Sequence, residues 1–489
     1  MKEKCFVSFS IRKKVALVLF AAILVSAMTG CKSNWSSGEN ATPGAVSTNP
    51  VANDTTGVAT PTNEITSTPT PSPIPTPTPF SVPIDAEHFP DEEFRNWVKN
   101  NYDYYGDGIL TEVDVKNVYK MDFTYRGTSF RSLAGIEYFY NLTILDCSGN
   151  QIENLDLSGL FYLREVDVQW NQLTSLNLSG CSNLRKLTCG YNQLTSLEIN
   201  GFTNLQELDV EGNQLTSLDL SGLTKLEKLS CGENKYKQID LSGLTNLKEL
   251  SYRKGMLPSL DLSYFPNLQV LDCSYNYLSN IDVSMLSNLT EFNCYHNELA
   301  SLDISKLGNL VKLNCDTNKI KTLDVSSLAK LEELECGYNL LSSLDVSNLN
   351  NLKKLNCGAN KRLRDLNMGN ISKLTYFECG GCPLESLDLC NLTNLTYISC
   401  GGCGLTSLDV SNLPKLSTLH CSRNKLTKLN VDGATALRWL YCDYNELTNL
   451  DISSLTELEL LKCDMNRLKG LDTSNNKKLS NLQYKPQKP

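Results

Sequence analysis

The chain has 489 residues, 41% apolar and 20% charged, with 45 Lys and Arg against 54 Asp and Glu for a net charge of −9. An acidic balance without a large basic block argues against a nucleic-acid partner, which needs phosphate-neutralising cations. Three histidines (His88, His296 and His420) leave little for imidazole chemistry, whereas nineteen cysteines require an explanation.

Lys2, Lys4, Arg12, Lys13 and Lys14 precede the apolar run VALVLFAAILVSAM, the layout of an export signal. That segment, residues 1–30, closes on MTGCKS, where Thr29 and Gly30 before Cys31 resemble the lipobox of bacterial lipoproteins. The resemblance implies cleavage before Cys31, a lipid on its thiol, and an extracytoplasmic protein held at the cell surface through that lipid alone. An ordinary secretory peptide cut near Ala27, or an uncleaved anchor, is the alternative. No later segment approaches the ~20 apolar residues that span a bilayer. Residues 31–83 are rich in Ser, Thr, Asn and Pro and end in TPTPSPIPTPTPF, which reads as an extended, semi-rigid tether.

Residues 84–120 differ in character. Pro90 followed by Asp91, Glu92 and Glu93 suits a helix first turn, and Phe94, Trp97 and Val98 then fall on one face. A second short helix is expected from Thr111, with Asp114 as its capping partner. Between them DYYGDGILTEVD (103–114) resembles an EF-hand loop. Asp103, Asp107 and Gly108 match loop positions 1, 5 and 6, Tyr105 departs from the pattern, and Asp114 replaces the bidentate Glu. The loop is a calcium candidate through Asp103, Asp107 and Asp114; otherwise no cofactor is expected. The other reading is a helical cap with a decayed loop, covering the open end of a stacked repeat domain.

From about residue 140 the chain repeats every 21 residues. LTILDCSGNQIENLDLSGLFY (142–162), LRKLTCGYNQLTSLEINGFTN (184–204) and LVKLNCDTNKIKTLDVSSLAK (310–330) share L-x-x-L-x-C-x-x-N-x-L-x-x-L-D-[LV]-S-x-L. Sixteen such units follow, with one extra residue near KRLRDL (361–366). Short apolar alternation gives a strand, and no single unit can bury its leucines, so neighbours must stack into a solenoid. At ~4.8 Å per strand the stack is roughly 75 Å long. Twenty-one residues leave little room for helix on the convex side, so extended or 3₁₀ segments are expected there. The pattern fills residues 121–482, leaving 483–489 as a tail whose Lys and Pro would blunt the terminal sheet edge.

This pattern resembles the leucine-rich-repeat family, and its regular cysteine is most similar to the cysteine-ladder internalins of Gram-positive bacteria. The resemblance implies a right-handed horseshoe of α/β class with low helix content, a parallel sheet on the concave face, and a macromolecular ligand bound there. Thirteen cysteines occupy one inward position, filled elsewhere by Val168, Val210 and Tyr252. The site therefore asks for a compact apolar group, and free buried thiols are expected. Cys379/Cys382 and Cys400/Cys403 imitate a zinc spacing, yet Cys382 and Cys403 stand where thirteen other coils place Asn. Zinc, or a Cys382–Cys403 bridge, is the alternative.

Specificity would sit on outward positions. The residue before the ladder is acidic early, at Asp146, Asp167 and Asp209, which points to a basic partner or cation, or to a solvated face. Two residues after the ladder lie Trp170, Tyr191, Tyr275, His296, Tyr338 and Tyr444, with Tyr295 alongside. Exposed aromatics there fit a protein hot spot or a sugar-stacking platform, or pack on one another. No nucleophile elbow, zinc-protease helix or phosphate loop occurs, so no enzymatic activity is expected. The reading is a monomeric surface protein that binds a protein ligand, with glycan as the alternative.

Overall fold

The computed structural model describes residues 80–124 and 129–489. The export signal, Cys31 and the tether up to residue 79 lie outside the described residues.

The cap begins with strand β1 (Ser81–Pro83), helix α1 (Glu92–Tyr102), strand β2 (Ile109–Thr111) and the short helix α2 (Glu112–Val115). Asp91 starts α1: its Oδ1 accepts the Phe94 N–H at 2.8 Å. Its second oxygen accepts from Arg131 N at 2.9 Å and Ser132 N at 3.1 Å, so one carboxylate also fastens the cap to the first coil. Phe94 and Val98 are buried, as their spacing predicts, and Phe94 and Trp97 meet Phe123 edge-on at 5.9 and 4.6 Å between ring centres. Phe123 takes the ladder position of the first coil; its N–H donates to Asp146 O as Cys147 donates to Asp167 O. The aromatic cluster therefore closes the apolar end of the stack.

The solenoid is one parallel sheet of eighteen three-residue strands, from Lys120–Asp122 to Asn481–Gln483. Pairing is in register throughout, for example Asp146 with Asp167 and Lys312 with Glu333. It runs in one line from first strand to last, with no pairing between the two ends among the described residues. On the opposite side, three pairs of coils add short parallel bridges, such as Asn154–Asp156 with Ser175–Asn177. Elsewhere that side is a short unpaired run leading into a turn, as at 217–222, and the only 3₁₀ segment among the described residues is Ile136–Tyr138, before the regular coils. This is the leucine-rich-repeat horseshoe.

Two internal ladders hold the coils together. The first is apolar: leucines such as Leu142, Leu145 and Leu157 and all thirteen ladder cysteines are buried. Each fully buried leucine contributes ~2 kcal/mol, which only stacked neighbours can supply. The second is polar and explains the repeated Asn. Asn318 Nδ2 donates to Cys294 O at 3.0 Å and Cys315 O at 3.1 Å, while its Oδ1 accepts Leu299 N–H at 3.0 Å. One side chain thus satisfies buried backbone groups of two coils. Gln487 ends this ladder, with Oε1 accepting from Leu468 N at 3.1 Å and Nε2 donating to Cys463 O at 3.0 Å. Residues 483–489 are therefore the last turn of the solenoid as well as its tail.

Candidate functional site

The outward columns form three surfaces. The first is an acidic strip on the concave sheet. Asp122, Asp146 and Asp167 are cross-strand neighbours, and Asp209 follows across Thr188. These aspartates also serve their own turns. Asp146 Oδ1 accepts Ser148 N–H at 3.1 Å, and Asp209 Oδ1 accepts Glu211 N–H at 2.9 Å. The turn after the strand needs an acceptor there, which Asn293 and Asn314 supply elsewhere. Charge is therefore superimposed on a structural requirement that Asn meets equally well. From Ile144 to Ser251 the outward strand residues hold six carboxylates and two ammonium groups, Lys186 and Lys228. Those lysines pair with Glu207 at 2.8 Å and Glu249 at 2.7 Å, Lys186 lies within electrostatic reach of Asp167, and Asp146, Asp167 and Asp209 form no ion pair. Burial, reinforced by Asp146, raises the Asp167 pKa; burial, with Glu211, Asp167 and Glu207 nearby, pushes Asp209 up to about 6. Asp122 belongs to this strip, and sequence reasoning missed it because the first coil is three residues longer than the repeat.

The second surface is a rim. Trp170, Tyr191, Tyr275, His296, Tyr338 and Tyr444 all have positive φ, between 48° and 56°. Sixteen coils place this residue in the left-handed region, and glycine fills it at Gly149, Gly212, Gly381 and Gly402. The turn brings the side chains together across coils. Trp170 and Tyr191 stack at 4.0 Å and 7°, and the other side of Tyr191 lies over Gly212, where a Cβ would come within 2.7 Å of the ring. Tyr275 stacks on His296 at 5.0 Å and meets Tyr295 edge-on at 4.9 Å.

Charged residues join these two clusters. Tyr191 Oη donates to Glu211 at 2.9 Å, Arg253 pairs with Glu211 and reaches Tyr191 Oη at 2.6 Å, and Lys254 pairs with Glu233 at 2.5 Å and lies 6.0 Å from the Tyr275 ring. Trp170 to His296 thus forms one track over seven coils. Tyr338, at 67% exposure, and Tyr444, under the Arg423 guanidinium at 5.0 Å, lie further along. The linking residues Glu211, Glu233, Arg253 and Lys254 carried no sequence signal, because the two columns they occupy are otherwise mixed.

The third surface, on coils 376–462 of the concave sheet, holds Tyr376, Tyr397, His420, Trp439 and Tyr441, all half-buried. It was not singled out from sequence.

In the loop of the cap the three aspartates are engaged in the loop's own hydrogen bonds. Asp114 is buried and spends both oxygens on backbone and hydroxyl donors: Oδ1 accepts Tyr104 N–H at 3.0 Å, and Oδ2 accepts Thr111 N–H at 2.7 Å and Oγ1 at 2.6 Å. Asp103 accepts Asp107 N–H and Gly108 N–H at 3.1 and 3.0 Å, and Asp107 accepts Ile109 N–H. No group of three His, Cys, Asp or Glu that could hold a metal ion occurs among the described residues. The strand inside the loop pairs with β1, Val82 opposite Leu110, where a tandem loop would pair with its twin.

The two C-x-x-C pairs are likewise structural. All four thiols are buried and unbridged. Cys382 Sγ donates to Cys357 O at 3.1 Å and Cys403 Sγ to Cys379 O at 3.2 Å, each repeating the bond that Asn318 makes to the coil before it. Burial pushes the ladder thiols up, as at Cys147, Cys273 and Cys400, which makes them poor nucleophiles and poor ligands, whereas hydrogen bonds with Cys357 and Cys379 lower Cys382 and Cys403.

Repeat, sheet and ladders define the class: a leucine-rich-repeat solenoid with a buried cysteine ladder. Family models match two stretches, "Leucine Rich repeats (2 copies)" over residues 203–244 and "Leucine Rich Repeat" over residues 267–289. Among solved structures, the functional domain of InlJ from Listeria monocytogenes, which includes a cysteine ladder, aligns with a TM-score of 0.58 at 27% identity. That alignment covers 79% of this chain and 76% of that one. YopM from Yersinia enterocolitica aligns at 0.52 and 24% identity, covering 70% and 80%. The Arabidopsis receptor kinase HAESA, solved in complex with the peptide hormone IDA and the co-receptor SERK1, aligns at 0.57 and 19%, covering 76% and 74%. These last two share the fold alone. No curated protein matches the chain significantly. The chain thus carries leucine-rich repeats and has a fold similar to that of the cysteine-ladder domain of InlJ.

Proposed function

We propose that the protein is a surface-anchored binding protein that holds a protein ligand on its concave face, with a basic segment of that ligand on the acidic strip. The observation that carries this reading is the strip of Asp146, Asp167 and Asp209, none of which forms an ion pair. Asp167 and Asp209, pushed toward protonation by burial and neighbouring carboxylates, gain when a cation approaches. The lipobox-like MTGCKS and the Thr-Pro tether support placement at the outer face of a bacterial membrane through Cys31.

A pull-down from partner-cell extracts tests the reading. Binding should weaken with salt and fall at least ~10-fold in the Asp146→Asn, Asp167→Asn, Asp209→Asn triple variant, which keeps the turn acceptors. A ligand that binds this variant as well as wild type would remove the reading. Metabolic palmitate labelling lost in Cys31→Ala tests the anchor.

Glycan binding has narrower support. Of the Trp170–Tyr191 stack, one face of Trp170 is left, toward Gly149, and Trp170 is 54% exposed. Glycan-array binding abolished by Trp170→Ala would favour it.

A further inference from the structure

The third surface has a geometry that selects among ligands. Tyr376 and Tyr397 are cross-strand neighbours and stack at 4.5 Å and 2° between planes; His420 and Tyr441 do the same at 4.0 Å and 9°. Tyr397 meets His420 at 5.8 Å, which joins the two pairs. Lysines close both ends: Lys354 Nζ lies 5.5 Å from the Tyr376 ring centre, and Lys462 Nζ 5.5 Å from that of Tyr441. Six side chains from six successive coils therefore form one file.

In this file each ring gives one face to its stacked partner, the ammonium groups lie over Tyr376 and Tyr441, and Tyr397 and His420 meet at a tilt of 47°. A sugar stacks on broad ring faces, and the file offers only the narrow faces between the tilted Tyr397 and His420. What remains are ring edges, which carry the positive end of the quadrupole, together with phenol hydroxyls and imidazole nitrogens. The outward residues on the strands between those of Lys354 and Lys462 are Tyr376, Glu378, Tyr397, Ser399, Thr418, His420, Trp439 and Tyr441; Glu378 is the one formal charge among them, and it accepts from Tyr376 Oη at 2.8 Å. Aromatic enrichment with charge depletion is the composition of an interface core. The two lysines differ. Lys354 is held by Glu335 at 2.5 Å, whereas the contact of Lys462 is the Tyr441 ring.

We propose that this file docks an acidic segment of a protein partner, laying an apolar side chain across Tyr397, His420 and Trp439 and setting a carboxylate against Lys462. Positive ring edges, hydroxyl donors and an ammonium without a carboxylate all favour an anion, the opposite preference to the acidic strip. The inference rests on the reading of the concave face as protein-binding.

Selection of a random-peptide phage library on the immobilised protein provides the test, with enriched peptides titrated against wild type and variants. Peptides pairing Asp or Glu with an apolar residue are expected. Their affinity should fall at least ~10-fold in Lys462→Glu and in the Tyr397→Ser, Tyr441→Ser double variant, and survive in Lys462→Arg. Circular dichroism and the melting midpoint of each variant separate lost binding from lost folding. Enriched peptides indifferent to these variants would overturn the file as a docking site and leave protein binding standing. Basic peptides, or none enriched, would also overturn it. Polysaccharide binding abolished by the double variant would overturn both.

Discussion

Along the concave sheet, the first outward residue of successive strands reads Glu165, Lys186, Glu207, Lys228, Glu249, Val270, Glu291, Lys312, Glu333, Lys354, and then Tyr376, Tyr397, Thr418, Trp439, Leu460. The first stretch alternates in sign; the second has no charge at all. In-register parallel pairing explains both. Equivalent positions face each other at strand spacing, so like charges in this column would repel and alternation relieves that repulsion, as it does not in the neighbouring acidic strip. Ion pairs result, at 2.8 Å for Lys186–Glu207, 2.7 Å for Lys228–Glu249 and 3.3 Å for Lys312–Glu291. Rings carry no such penalty, and the strand spacing suits face-to-face stacking, as in Tyr376–Tyr397. The two halves solve one geometric problem with different chemistry, and so offer different surfaces to a ligand.

The largest difference between them should lie inside. Around Asn318 the polar ladder is complete, and Asn318→Ala strands the buried Leu299 N–H and removes one of two amide donors from each of Cys294 O and Cys315 O. At Cys403 the thiol makes one bond to the preceding coil, and Leu384 N–H turns to Cys382 O at 2.8 Å, away from the coil ahead. Urea unfolding should show Asn318→Ala destabilised by ~3 kcal/mol and Cys403→Ala by ~1 kcal/mol. Equal losses would mean that the Cys coils are as tightly tied as the Asn coils.

Most of the fold was legible because a strict 21-residue period leaves one way to bury its leucines. The cap helices were legible too, since Asp91 and the Thr111/Asp114 capping box are local signals. Pairing of β1 with β2 was hidden because residues 81–83 close a Pro-rich run that reads as tether. Gln487 was hidden because it acts as the last Asn of the ladder with a longer side chain, past the point where the leucine pattern fades. Among the site residues, the rim column was visible as a column, but its stacking depends on the left-handed turn that every coil makes there. The C-terminal file escaped notice because it changes column: Tyr376 and Tyr397 open their strands, whereas His420 and Tyr441 close theirs.

A second contrast is in pH. Asp209 titrates near 6 because burial and neighbouring carboxylates disfavour its charge, so the folded state holds a proton that the unfolded state releases near the ordinary value of 3.8. Folding is then favoured by protonation: stability falls as pH rises from about 4 through 6. Asp209→Asn keeps the acceptor for Glu211 N–H and removes the charge. Thermal unfolding should find it more stable than wild type by ~1 kcal/mol at pH 8 and equal to it at pH 4. A variant less stable than wild type at both pH values would show that the carboxylate is compensated by a cation.

The smallest effect bears most directly on the two halves. Double-mutant cycles to alanine at Lys186/Glu207 and at Tyr376/Tyr397 measure each kind of cross-strand pair in its own coil. The ion pair, with side chains 39% and 34% exposed, should couple by ~0.5 kcal/mol and fade in molar salt, where the screening length is ~3 Å. Stacked rings should couple by ~1 kcal/mol and keep that value in salt. If the ring pair fades with salt as well, its coupling comes from the Lys354 ammonium over Tyr376 and from the hydrogen bond of Tyr376 Oη to Glu378 at 2.8 Å. The C-terminal half would then be electrostatic after all, with its charges set at the ends of the file.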